Sequence, residues 1–172
     1  MLVNTLQVVY IGEIVTSDNP DETLVAYGLG SCVAVCLYDP IAKVGGMLHA
    51  LLPTAPRGSK ATDRPAKFVD RGVPMLTHLL QEMGARQYRM VAKLCGGAQL
   101  LSDPAQGPAF SQNGRLNVGK LNVLAADVAL RTAGLPIKGR ATGGTVGRTV
   151  RLHMADGRVT VKTLAHGERV LW

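Results

Sequence analysis

GLGSCVAVCLYDPIAKVGGMLHALLP, residues 28–53, is the stretch whose reading decides the fold. VAVCLY at 33–38 is a continuous apolar run bounded by turn residues, the mark of a strand with neither face on water. Asp39-Pro40 closes it, and 44–52 is a second apolar strand, so residues 32–52 read as a buried hairpin.

Upstream, residues 6–16 read as one strand and NPDE at 19–22 as a turn cluster. Downstream, the polar composition of 54–65 reads as a loop. Val69, Val73, Leu76, Leu80 and Met83 then recur at helical spacing, with Gly84 placed to end the helix. YRMVAKLC at 88–95 reads as a strand entering Gly96-Gly97, and 102–115 as a loop. Asn117 or Asn122 caps a second helix that runs to about Ala133, with Leu121, Leu124, Ala125 and Val128 inward and Gly134 after it. Strands follow at 137–142, 148–155 and 158–164, the last two joined by Asp156-Gly157 as a type I′ turn. Two helices among about seven strands predict an α+β layered fold, with residues 1–172 as a single domain.

An apolar share of 47% and a charged share of 18% exclude a disordered chain. No apolar run reaches the roughly 18 residues that span a bilayer. The N-terminus lacks the basic region and cleavage site of a signal peptide, so the expected location is cytoplasmic, without membrane insertion. On one strand face Cys32 and Cys36 stand about 13 Å apart, too far for a disulfide, and the three cysteines read as reduced thiols. The net charge of +7 favours acidic partners. Nucleic acid is not expected among them, since no RNP-like aromatic stripe, zinc-finger spacing or recognition helix is present.

The chemistry concentrates at GLGSC, residues 28–32. A nucleophile that attacks a carbonyl needs an exposed sulfur beside backbone N–H groups free to hold an oxyanion, and glycines allow the φ/ψ values that aim several N–H groups one way. Cys32 sits at such a loop-to-strand junction, with Gly30 and Ser31 leading into it; Cys36, inside the strand, reads as a core thiol. With the hairpin turn near 40–42, Cys32 comes opposite approximately residue 49 or 50, close enough for the His49 imidazole to meet its sulfur. A lone cysteine in an apolar segment and a histidine between Leu48 and Ala50 are also what an ordinary core contains, and residue chemistry alone leaves both readings standing. Cys32, Cys36 and His49 do not read as a metal site, because Cys-x3-Cys is not a usual zinc pair and no fourth ligand is at hand. GGTVGR at 143–148 lacks the spacing of a nucleotide loop. His78, His153 and His166 read as surface residues.

Beyond residue chemistry, the chain resembles a family, the chemoreceptor glutamine deamidases (CheD). GLGSCVAVCLYDP at 28–40 and AKVGGMLHALLP at 42–53 are similar to that family's catalytic hairpin, KFVD at 67–70 to its helix start, VAKLCGGAQL at 91–100 to its central strand and turn, and GGTVGRTVRLHMADGRVTVK at 143–162 to its C-terminal hairpin. The resemblance implies a cysteine-dependent amidohydrolase, a protein-glutamine glutaminase. It would convert glutamine side chains on the cytoplasmic helical region of bacterial chemotaxis receptors to glutamate and ammonia, with Cys32 as nucleophile, His49 as base and no cofactor. The family's third catalytic residue is a threonine six positions before the cysteine; Ala26 stands there, and Thr23 and Ser31 are the nearby hydroxyls that would substitute. The implied fold is a layered α/β/β sandwich of mixed sheet with two main helices, similar to the cytotoxic necrotizing toxin deamidases. A second implied role is that of a catalytically weak adaptor that binds and regulates a CheC-type phosphatase.

Overall fold

The computed structural model describes residues 5–60, 64–100 and 117–171; the 102–115 loop lies outside them. In chain order the elements are β1 (Thr5–Val8), β2 (Glu13–Ser17), β3 (Glu22–Leu29), β4 (Val33–Asp39), β5 (Val44–Ala50), α1 (Val69–Glu82), β6 (Val91–Gly96), α2 (Val118–Thr132), β7 (Ile137–Thr142), β8 (Arg148–His153), β9 (Val159–Thr163) and β10 (Gly167–Leu171). They form two five-stranded sheets, ordered β1-β3-β8-β9-β10 and β2-β5-β4-β6-β7. Both sheets are mixed: β1 runs parallel to β3, and β6 runs parallel to β7 through the α2 crossover.

Alternation along β4 separates two cores. Val33, Val35 and Leu37 face α1 and α2, where Val69, Val73, Leu76, Leu80, Ala126 and Leu130 meet them. Ala34, Cys36 and Tyr38 face the first sheet, packing with Leu24, Ala26, Val150, Leu152 and Val161. The layers are therefore helices, second sheet, first sheet, with β4 buried on both faces as the apolar run predicts. Close approach of α1 depends on missing side chains: a Cβ on Gly72 would lie 2.6 Å from Leu48.

Several expectations are corrected. Residues 6–16 are two strands, because the chain breaks at Gly12 (φ +78°) and passes from one sheet to the other. β3 and β10 extend the first sheet beyond the strands expected. The 154–157 connection holds four residues rather than a two-residue type I′ turn: His153 N–H donates to the Arg158 carbonyl, and Gly157 alone of the pair has positive φ. Asn117 is the cap of α2, accepting from Lys120 N–H at 3.1 Å. The buried face of α2 is Gly119, Asn122, Ala126 and Leu130, leaving Leu124 and Val128 exposed. His153 is half-buried, since its ring is held between the hydroxyls of Thr23 and Thr160.

The hairpin turn is built by Asp39, whose buried Oδ1 accepts from Ile41 and Ala42 while Oδ2 accepts from Arg86 N–H and the Arg89 guanidinium. Burial alone would raise this carboxyl; the bonds it accepts outweigh burial and hold it below the usual carboxylate range. A carboxyl depressed by folding stabilises the protein above its unfolded pKa, and that contribution disappears as pH falls through the folded value. Asp39→Ala is therefore expected to cost about 3 kcal/mol at neutral pH, measured by urea unfolding, with the difference from wild type shrinking in acid.

Candidate functional site

The β4–β5 ladder pairs Val33 with Ala50 and Ala34 with His49. Cys32, one residue ahead of β4, thus comes opposite Leu51 rather than 49 or 50. The cause is the turn, which runs over residues 40–43 with Lys43 at φ +54°. His49 is opposite Ala34, which faces the first sheet; continuing the β4 alternation one residue back puts Cys32, two residues along from Ala34, on that same side.

His49 is 3% exposed, and its two ring nitrogens differ sharply. Nδ1 lies 3.0 Å from the carbonyl of Val9, so it carries the proton and donates. Nε2 is buried and has no partner among the described residues. Burial pushes the imidazole below its ordinary range, against the opposing pull of the Val9 carbonyl and Glu13, so the neutral ring with a bare Nε2 is the resting form. Cys32 is 7% exposed, and burial pushes its thiol up while its own backbone N–H pulls it back. Thiol and imidazole are thus both neutral at rest, and no hydrogen bond joins Sγ to Nε2.

Three bonds fix the loop ahead of β4. Ala98 N–H donates to the Gly30 carbonyl at 2.7 Å, and Gly97 N–H to that of Cys32 at 2.8 Å. Asn122 Nδ2 donates to the Ser31 carbonyl at 2.8 Å and to that of Leu51 at 2.9 Å. The turn fits against Cys32 only because residue 96 is glycine: at φ +101°, a Cβ would lie 2.2 Å from the Cys32 carbonyl oxygen.

Neither proposed third hydroxyl bonds to His49. Thr23 faces His153, with 3.3 Å between Oγ1 and Nδ1, and Ser31 contributes its carbonyl to Asn122. Ala26 is fully buried on β3 and its side chain is a methyl; the Nδ1 proton of His49 goes to Val9, itself held by a 2.8 Å bond from its N–H to the Val25 carbonyl. Val9 acts through its backbone, which leaves no signal in a sequence. Asn122 did leave one: it shares the helical phase of Gly119, Ala126 and Leu130, a lone polar residue on an apolar face.

Cys36 and Cys95 are buried free thiols, the latter pushed up to about 12 by burial. Among the described residues no three metal-ligating side chains cluster, and no helix is long and apolar enough to cross a membrane. A groove of about 790 Å³ between α1 and α2 contains neither Cys32 nor His49.

The chain is 38% identical over 166 residues to a probable chemoreceptor glutamine deamidase CheD of Symbiobacterium thermophilum, covering 96% of this chain and 97% of that one. It is 38% identical over 164 residues to the chemoreceptor glutamine deamidase CheD of Thermotoga maritima, covering 95% and 96%. Among solved structures, the hypothetical protein YfiH of Bacillus licheniformis aligns with 84% of this chain and 60% of its own, at 15% identity and a TM-score of 0.44, a likeness from which we draw nothing. The family model described as CheD chemotactic sensory transduction matches residues 51–163. With relatives this similar over nearly its whole length, the chain belongs to the CheD family.

Proposed function

We propose that the protein is a protein-glutamine deamidase, a hydrolase that converts glutamine side chains of chemotaxis receptors to glutamate with release of ammonia. The observation that carries this reading is His49: a buried imidazole with Nδ1 tied to Val9 and a bare Nε2, on the same sheet face as Cys32. The names of the relatives supply the substrate class.

In the proposed mechanism, Nε2 of His49 takes the Cys32 proton as the sulfur attacks the carboxamide carbon, so charge is created only when substrate is present. Apo catalytic contacts are commonly long and tighten in the complex, in keeping with a Cys32–His49 contact that forms on binding. Backbone N–H groups of the Gly30–Ser31–Cys32 loop hold the oxyanion. The imidazolium then protonates the departing ammonia, leaving a thioester, and water activated by His49 releases glutamate. Val9 takes the orienting role that a third side chain would otherwise fill. No step calls for a cofactor. A cytoplasmic location and a fold similar to the cytotoxic necrotizing toxin deamidases belong to the same proposal, and the net charge of +7 suits an acidic helical receptor surface.

The test is mass spectrometry of a receptor cytoplasmic fragment after incubation with enzyme. Wild type is expected to give the mass change of amide to acid at glutamine, and Cys32→Ser none. An inert wild type that still binds a CheC-type phosphatase would favour the adaptor role instead.

The pH dependence follows from the two neutral groups. With the thiol raised, alkylation of free enzyme by iodoacetamide at Cys32 should keep rising with pH through the ordinary thiol range; a plateau already reached at neutral pH would show a preformed thiolate and contradict this. With the imidazole lowered, kcat should persist below the ordinary histidine range before acid abolishes it.

A further inference from the structure

We infer that Asn122 is a positioning residue that aims the oxyanion-binding N–H groups of the nucleophile loop, an inference that rests on the deamidation proposed above. In a trans peptide unit the C=O and the N–H point in opposite directions. Holding the Ser31 carbonyl on the α2 side therefore turns the Cys32 N–H away from α2, and holding the Gly30 carbonyl does the same for the Ser31 N–H. Among the described residues neither N–H donates to a backbone carbonyl. Two adjacent donors, fixed in direction and given to no backbone carbonyl among the described residues, are what a tetrahedral oxyanion requires; at rest the Cys32 N–H lies against its own sulfur.

Of the three groups among the described residues that hold this loop, Gly97 and Ala98 act through backbone amides, and Asn122 acts through a side chain. The same carboxamide holds the Leu51 carbonyl, two residues beyond His49, so one group sets the end of β5 against the loop that carries the nucleophile. α2 is brought close enough by Gly119, where a Cβ would lie 2.6 Å from the Gly97 carbonyl oxygen. Asn122 is fully buried, yet its Oδ1 has no partner. A buried acceptor left unpaired is destabilising, and an apolar side chain would avoid that penalty. Asn122 Oδ1 and His49 Nε2 are the two such side-chain atoms among the described residues.

The test compares two reactions of the same sulfur. Deamidation of a receptor fragment passes through an oxyanion; alkylation of Cys32 by iodoacetamide, a displacement at a saturated carbon, does not. Asn122→Asp keeps the shape and loses the donors, and Asn122→Ala removes both. For each, kcat is expected to fall about 10- to 100-fold, with KM and the alkylation rate within about twofold of wild type and an unshifted alkylation pH profile. Should both variants melt below the assay temperature, Asn122→Ser, which retains one donor, is expected to recover the fold and part of kcat. An unchanged kcat in a folded variant overturns the inference, as does a parallel fall in deamidation and alkylation, or loss of fold in all three variants. A wild type that alkylates but does not deamidate overturns the proposed reaction, and this inference with it.

Discussion

Burial of β4 on both faces and pairing along both of its edges is the constraint from which the rest follows. β5 takes one edge and β6 the other, while the helices and the first sheet cover the faces. Such a strand cannot shift in register without moving an apolar set onto the wrong core. Cys32 is the first residue beyond it, close enough to inherit that rigidity and far enough to leave the ladder. Among the described residues the Ser31 and Cys32 N–H groups then donate to no backbone carbonyl.

Where a residue's role was local, the sequence made it legible. The apolar run of β4 and the helical spacing of Val69, Val73, Leu76 and Leu80 reappear as drawn. Register was harder. Asp39 accepts from two successive N–H groups and Lys43 enters the left-handed region, adding a residue to the turn that spacing could not reveal. The face of α2 was misjudged for a related reason: Leu124 and Val128 look like core by hydropathy, but Asn122 pays for its burial with two carbonyls that only the folded hairpin supplies.

The candidate site divides along the same line. Cys32 and His49 belong to one hairpin, so their shared face survives a register error of even length. What surrounds them is supplied from far along the chain: a carbonyl from residue 9, an amide from residue 122, two N–H groups from residues 97 and 98. The imidazole proton goes to the Val9 backbone, and the tautomer is fixed without a polar side chain.

The Val9 bond ties His49 to one edge of the first sheet. Val9 follows β1, a four-residue strand whose first three residues are exposed and which pairs along one edge only. Edge strands open locally at a free energy well below that of global unfolding. Each such opening would free the imidazole to rotate and exchange its tautomer while Cys32 and the central strands stayed in place. The fraction of molecules with the Nδ1 proton in place would then follow the opening of that edge strand, and anything that clamps residues 5–9 would act on His49 without touching the sulfur.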